Sequence, residues 1–505
     1  MNQSSLKIGP QRLFVAATTL AALTTYTLSN RTIAAESTRL ENERPHIILV
    51  MTDDQGWGET SYNGHPRLKT PNLDKLADAG VRFDRFYAGG PVCSPTRASV
   101  LTGRNHNRCG VPSHGHALRL QEQTLARLLQ RFGYVTGHFG KWHLNGLRGP
   151  GVPVLSNDSH HPGKFGFEAW LSVTNFFDKD PILGRMGLQE EYQGDSSEVI
   201  VGQAINFIEA ACALERPSFT VVWYGTPHDP FIALPADAEK FADLDERSRQ
   251  HYGELTAMDR SIGQLQAALN RLEITEDTLI WFCSDNGGLG RITPGTVGPL
   301  RGLKGTLYEG GLRVPGILHW PAKFQANRLR NYPAGVVDIC PTICSLLGLP
   351  TDSLTSPQDG ISLVPAIKGL ESLRPSPLCF RYQGHTAVID NNMKLIDFQG
   401  KQRRIEMYDL SVDEAEQNNL ADVATAHKAR LLGIAQAFTS SVKRSIAGLD
   451  YPGGKLLDEN PQPSFWMTHP RYESFLDAWR TRPEYAARIE KAELDRQTPK
   501  PSKEN

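Results

Sequence analysis

The chain carries almost no net charge. Lys and Arg number 54 against 55 Asp and Glu, which leaves a formal charge of -1 over 505 residues. That removes any general case for nucleic-acid binding, which rests on an excess of basic groups. A local basic pocket can still hide inside a neutral total. The seven cysteines include no C-x-x-C pair, so a zinc cage is not expected. Cys340 and Cys344 lie one helical turn apart, but spacing does not fix their pairing. An odd cysteine count in an exported chain leaves one thiol for another task. Internal repeats and low-complexity linkers are absent, so the chain is not read as a repeat array. Past the N-terminal region, no stretch is long and apolar enough to span a bilayer.

The N-terminal region itself has the order of an export signal. Lys7 and Arg12 precede an apolar run from Leu13 to Leu28, and small residues follow, with Ala34 and Ala35 at the expected cleavage point. A membrane anchor is the competing reading. A spanning helix needs ~20 strongly apolar residues, and this run is shorter and broken by Thr18, Thr19, Thr24 and Thr25. No cysteine precedes Cys93, so a lipid-bearing cysteine at the cleavage site is excluded. Residues 1–35 are therefore expected to be a cleaved signal peptide, with the protein periplasmic or extracellular and without stable membrane insertion.

Composition is ordinary for a folded protein, and the length allows a large core and more than one domain. HIILVM (46–51), FTVVWY (219–224) and TLIWFC (278–283) are continuous apolar runs of strand length. Such runs predict strands buried on both faces of a parallel sheet. Helix patterns lie between them at Leu73–Ala79, Gln121–Arg131, Glu198–Leu214 and Tyr252–Leu272. A boundary falls near TDSLTSPQDG (351–360), and beyond it LCFRY, HTAVID, NMKLIDF and RIEMYDL read as short strands joined by turns. The expected fold is α/β: a large mixed, mostly parallel sheet flanked by helices, with a smaller C-terminal antiparallel sheet subdomain. The main domain is placed at 36–358, the subdomain at 359–450 and an extension at 451–505. The extension is rich in Pro, charge and aromatics, and is expected to wrap the surface or to be partly disordered.

Polar residues cluster where the strand candidates end. HIILVMT runs into Asp53-Asp54, VTGHFG into Lys141-Trp142-His143, FTVVWYGTP into His228, and TLIWFCS into Asp285-Asn286. Ligands of open parallel sheets bind beyond the carboxyl ends of the strands, so these distant segments are expected to meet in one crevice. Each has a plainer reading. Asp53-Asp54-Gln55-Gly56 and Asp285-Asn286-Gly287-Gly288 are good turn sequences. Adjacent aspartates on a regular strand face opposite sides, but at a strand end both can converge. Carboxylates brought together need a cation or protons to compensate them. Oxygen donors suit calcium or magnesium rather than zinc.

The segment PVCSPTRASVLTGR (91–104) is the most informative. Pro95 suits the first turn of a helix that runs to about Thr102, and Gly103 is a fitting stop. Cys93 then sits at the helix N-terminus, where backbone N–H groups and the helix dipole favour an anion. Arg97 follows about one turn later. For an arbitrary Cys-x-Pro-x-Arg, a buried cysteine beside a surface arginine would be the better reading.

PVCSPTRASVLTG resembles the main signature of the type I sulfatases throughout its length. These are the formylglycine-dependent, arylsulfatase-like members of the alkaline phosphatase superfamily. GYVTGHFGKWH (133–143) resembles the second signature, with Phe139 where a smaller residue is usual. DDQGWG (53–58), TPHDPF (226–231), SDNGG (284–288) and LRGLKGTLYEGGLRVPGILHWP (300–321) look like further family segments in the expected order. YDLSVDEAEQNNLA (408–421) resembles the marker of the family's C-terminal subdomain. The resemblance covers roughly residues 44–440.

The resemblance implies a calcium ion held by Asp53, Asp54, Asp285 and Asn286, with Cys93, oxidised to formylglycine by a formylglycine-generating enzyme, completing the protein shell. It implies that Arg97 holds the formylglycine hydroxyl. Lys141, His143, His228 and Lys304 would contact the nucleophile, the sulfate or the leaving oxygen. Without the family segment, Lys304 reads as a surface lysine in a Gly-rich loop. A hydrated aldehyde offers two hydroxyls: one attacks sulfur, and the second loses a proton so that sulfate can be expelled. His143 is the implied base for release, and His228 or Lys304 the acid for the leaving oxygen. The expected substrates are sulfated carbohydrates or aryl sulfates. Two other readings stand beside this one: a phosphoester or phosphonate hydrolase of the same superfamily, and a non-catalytic glycan-binding relative with unmodified Cys93. His114, His116, His160 and His161 are left outside the site, since isolated histidines are more often surface residues.

Overall fold

The apolar runs become central strands because alternate residues enter different cores. In His46–Thr52, Ile47, Leu49 and Met51 join one buried cluster while Ile48 and Val50 join another. Thr278–Ser284 divides the same way, with Leu279, Trp281 and Cys283 on one side and Ile280 and Phe282 on the other. Both faces are thus apolar, and each is covered by helices. Pro71–Ala79, Ser196–Ala213 and Glu246–Arg271 bury their apolar sides in one cluster. Cys93–Thr102, Leu125–Arg131 and Ile339–Leu346 contribute to the other.

This computed structural model describes residues 44–457 and 460–497. The expected signal peptide lies outside them. Among the described residues eleven strands form one sheet. Their order is Asn327–Leu329, Val81–Tyr87, Arg313–His319, Thr278–Ser284, His46–Thr52, Ser218–Trp223, Val135–Lys141, Ala169–Val173, Ile182–Arg185 and Leu188–Glu191, with Ala334–Gly335 also on Val81–Tyr87. The central strands from Thr278–Ser284 to Ala169–Val173 are all parallel. Arg313–His319 is antiparallel to both its neighbours, and the far edge ends in an antiparallel pair. The fold is α/β with a mixed, mostly parallel sheet.

Leu378–Tyr382, His385–Asp390, Met393–Phe398 and Arg404–Asp409 form a separate four-stranded antiparallel sheet in sequence order. One face packs Phe380, Ile389, Ile396 and Tyr408 against Tyr87, Leu307 and Leu312. The other carries Val388, Leu395 and Met407 beneath Leu431 and Ala435 of the helix Thr425–Ile446. Between this sheet and the main body, buried Lys394 bridges Glu309 and Glu416, each at 2.9 Å.

Two expectations need correction. The helix expected from Gln121 starts at Leu125, because the Thr124 side chain accepts the Arg127 N–H and caps it there. The C-terminal extension is better anchored than its composition implied. Trp466, Tyr472, Trp479 and Tyr485 form their own cluster with Leu147, Val152 and Ile182. Trp466 Nε1, Tyr485 Oη and Tyr472 Oη donate to the carbonyls of Pro150, Gly151 and Pro153 at 2.8, 2.6 and 2.9 Å. Ser464–Phe465 adds a parallel strand to Leu147–Arg148. The aromatics are the anchor.

Candidate active site

Cys93 is the first residue of the helix Cys93–Thr102, and no side chain caps the helix start. Gly103 ends it in the left-handed region, with φ 69°. Every residue of the helix is buried, so its free first-turn N–H groups face protein interior rather than solvent and suit an anion. Burial pushes the Cys93 thiol up to about 11, despite the nearby cations Lys141 and Lys304. An unmodified thiol there is protonated at neutral pH and a weak nucleophile.

Asp53 and Asp54 leave the end of the strand His46–Thr52, and Asp285 leaves the end of Thr278–Ser284. Asp54 sits at φ 66°, and this left-handed step lets adjacent aspartates turn to one side. One carboxylate oxygen from each of Asp53, Asp54 and Asp285 falls within 4.8 Å of the others. The Asp54 N–H donates to Asp285 Oδ1 at 3.1 Å, and Asn286 Nδ2 donates to Asp54 Oδ1 at 2.7 Å. Asp53 Oδ1 and Asn286 Oδ1 are buried and accept no hydrogen bond from the protein. Buried oxygens without a donor, beside a cluster of three carboxylates, fit a hard cation such as calcium. Cys93, Asp53 and His228 also bring ligand atoms within 4.8 Å of one another, so Cys93 borders the same point.

Cations surround these acids. Arg97 Nη2 pairs with Asp285 Oδ2 at 2.7 Å, and its Nη1 donates to the Lys141 carbonyl at 3.0 Å. Lys141 Nζ pairs with Asp53, and Lys304 Nζ with Asp54 Oδ2 at 2.6 Å. Burial raises the Asp285 carboxyl, and with neighbouring Asp53 it reaches about 7. Burial acts the same way on Asp54, but Lys304, His228 and Lys141 outweigh it and hold that carboxyl below the usual range. Lys304 in turn is held charged by Asp54 against the cost of burial.

His143 is buried at φ 52°, and neither ring nitrogen has a protein partner. Burial, followed by Lys141 and Arg97, pushes its pKa well below the ordinary histidine value. His228 is only partly buried, and its ring stacks on Phe176 with centroids 4.5 Å apart. Its Nδ1 donates to the Asp229 carbonyl at 2.6 Å, which leaves Nε2 free, 3.7 Å from Asp54 Oδ2. Burial and Lys304 lower it to about 3.

The structure therefore brings Asp53, Asp54, Cys93, Arg97, Lys141, His143, His228, Asp285, Asn286 and Lys304 to one crevice. Phe139, the residue that departs from the second signature, packs on Phe207 in the core. His161 stacks on Trp170 and caps a short helix, and the His160 carbonyl accepts Trp142 Nε1. Sequence reasoning passed over Phe176 and Ser94. Ser94 Oγ donates to the His143 carbonyl and so joins two signatures. A small hydroxyl in the first turn of the nucleophile helix was the available signal for Ser94. Phe176 carries none.

The family described as Sulfatase matches residues 45–349, and that described as N-sulphoglucosamine sulphohydrolase, C-terminal, matches residues 303–432. N-acetylgalactosamine-6-sulfatase of Canis lupus familiaris is 32% identical over 386 residues, covering 68% of this chain and 69% of the relative. Arylsulfatase A of Homo sapiens is 32% identical over 362 residues, covering 64% and 68%. Among solved structures, Ps i-CgsB in complex with k-i-k-neocarrahexaose shares the fold with a TM-score of 0.70 at 24% identity, covering 88% of this chain and 99% of that one. The matched family spans the strand ends and the helix that build the crevice, and on that ground the chain belongs to the type I sulfatases and is a hydrolase of sulfuric esters.

Proposed function

We propose that this protein is an exported, calcium-dependent sulfatase of sulfated carbohydrates, with a nucleophile made from Cys93. The observation that carries the reading is the meeting of oxygen donors and cations around a cysteine at a buried helix N-terminus. Asp53, Asp54, Asp285 and Asn286, with the modified Cys93, would hold the calcium. When bound, the ion offsets negative charge on the sulfate oxygens and the nucleophile. Formylglycine, made by a formylglycine-generating enzyme, supplies one hydroxyl for attack and a second for expelling sulfate.

The remaining residues bind and move protons. Arg97, fixed by Asp285 and the Lys141 carbonyl, orients the nucleophile's hydroxyl. Lys141 and Lys304 place positive charge where the transition state gathers negative charge. His143, held neutral and with both ring nitrogens free, takes the proton in the release step. Lys304 Nζ, held charged beside Asp54, or His228 after it has taken up a proton at Nε2, gives a proton to the departing oxygen. A carbohydrate substrate is supported by the relative whose name is N-acetylgalactosamine-6-sulfatase. Export rests on the order of residues 1–35. Among the described residues no helix is long and apolar enough to cross a membrane.

The test is a sulfate-release screen across position-defined sulfated sugars, with phosphate and phosphonate esters as controls. Sulfate release from a sugar is expected. Peptide mass analysis is expected to find an aldehyde in place of the Cys93 thiol. Full activity with an intact thiol would end the formylglycine mechanism. Faster release of phosphate than sulfate would end the substrate assignment.

A further inference from the structure

We propose that Arg148 and the adjacent ring of Phe465 form a second anion subsite at the mouth of the sulfate pocket, which takes a further carboxylate or sulfate on the glycan. This rests on the reading of the protein as a sulfatase of carbohydrates. The subsite is tied to the nucleophile helix through one glycine. The Gly115 N–H donates to Ser94 Oγ at 2.8 Å, next in sequence to Cys93. Arg148 lies against the same glycine: a Cβ at Gly115 would stand 2.5 Å from Arg148 Cγ and 2.9 Å from its Nε. Gly115 also has φ +73°, so this close approach is built on a residue without a side chain. The Arg148 stem thus packs on a residue that is itself hydrogen-bonded to the first turn of the nucleophile helix.

The guanidinium has little to hold it. Its Nη2 donates to the His114 carbonyl at 3.2 Å, and its Nε is buried without a partner. Among the described residues no carboxylate forms an ion pair with it. Buried Arg104 pairs with Glu122 at 2.7 Å and Arg108 with Asp359 at 2.8 Å, and Arg119, which has no acid, is held by three backbone carbonyls, whereas Arg148 has one. A guanidinium with an unpartnered buried Nε and a single carbonyl bond keeps donors for an external anion.

The C-terminal extension completes the subsite. Phe465 is the register partner of Arg148 in the short parallel pair, which sets the two side by side. Phe465 is 52% exposed, although the next residue, Trp466, is fully buried and bonded to Pro150. The backbone that carries the ring is therefore fixed. An aromatic face beside an unpaired guanidinium fits the apolar face of a sugar that carries a negative group.

The test uses three disaccharides that share one sulfated amino sugar. Their second sugars are a uronic acid, a neutral hexose and a sulfated hexose. The wild type is expected to favour one or both charged forms over the neutral one in kcat/KM. Arg148→Ala is expected to reduce that preference by about tenfold or more, mainly through KM, and Phe465→Ala to weaken binding of all three. Which charged form is preferred tells carboxylate from sulfate. Equal turnover of charged and neutral forms by the wild type overturns the subsite, as does an equal loss on all three in Arg148→Ala. If the wild type releases sulfate from none of them, the parent reading fails. Calorimetric titration with the same three sugars then decides the subsite by the same comparison of wild type and Arg148→Ala.

Discussion

Ser94 and His143 are joined by one buried hydrogen bond, in which the Ser94 hydroxyl donates to the His143 carbonyl at 2.7 Å. The same hydroxyl accepts the Gly115 N–H at 2.8 Å. A single side chain therefore fixes the nucleophile helix, the histidine left without partners, and the loop at the crevice mouth. Replacing Ser94 by Ala leaves a buried carbonyl and a buried N–H without partners. The expected cost is about 1–3 kcal/mol of stability, read by denaturant unfolding. Displacement of His143 is expected to lower kcat by about 10–100-fold. The formylglycine content of the variant should be measured alongside, so that loss of modification is not mistaken for loss of geometry. Wild-type kcat in a fully modified variant would show that the clamp does not position His143.

Calcium removal is the second test. Asp53 Oδ1 and Asn286 Oδ1 have no donor from the protein, and three carboxylates crowd one point. Chelation is expected to abolish turnover, and calcium to restore it, with magnesium as a partial substitute. Calcium should also raise Tm, because an ion that binds only the folded state stabilises it by mass action. Asp54→Asn should weaken that Tm response. Restoration by zinc alone would contradict a site built from oxygen donors.

The sheet was legible because its strands are buried on both faces, and such strands print as continuous apolar runs such as HIILVMT. The nucleophile helix was legible from Pro95 and Gly103, whose backbone preferences mark its two ends. Convergence of the acids was readable only as a possibility at a strand end. The left-handed Asp54 that brings it about has no pattern of its own. Phe176 was invisible, since its stacking on His228 joins two loops with no shared spacing. The way the extension is anchored was not legible for a related reason. Trp466, Tyr472 and Trp479 are apolar anchors spread among charges, and only the folded chain shows that they face one another.

Asp195, which is not among the proposed calcium ligands, offers a test of pH dependence. It caps the helix Ser196–Ala213 by accepting the Ser197 and Glu198 N–H groups, and burial raises its carboxyl from 3.8 to about 6. Glu198 raises it further, while the cap bonds and Arg260 oppose the rise. The folded state thus binds a proton that the unfolded chain has already released between those values. Stability from this group is full below pH 3.8 and is lost as pH rises through 6. Asp195→Asn keeps an oxygen for the cap and removes the titration. Relative to wild type, the variant should gain on the order of 2 kcal/mol between pH 4 and 7, measured by unfolding at each pH. A difference that does not change with pH would show that the carboxyl is not raised.

The last prediction concerns the proton given to the departing oxygen. Sugar alkoxides are poor leaving groups and need that proton in the transition state, whereas nitrophenolate leaves well without it. General acid catalysis contributes about 10²–10⁴-fold where the proton is needed. Two groups compete for that role beside Asp54 Oδ2: Lys304 Nζ at 2.6 Å, and His228 Nε2 at 3.7 Å, which must first take up a proton. Replacing the true acid should damage turnover of a sugar sulfate far more than that of nitrophenyl sulfate. His228→Ala and Lys304→Ala must both be measured, because each side chain can also bind sulfate. His143→Ala should behave differently and slow the step that frees sulfate from the enzyme, whichever substrate is used. Single-turnover measurements separate the two steps. Equal losses on both substrates for both His228→Ala and Lys304→Ala would remove the acid role and leave the pair as groups that bind the sulfate.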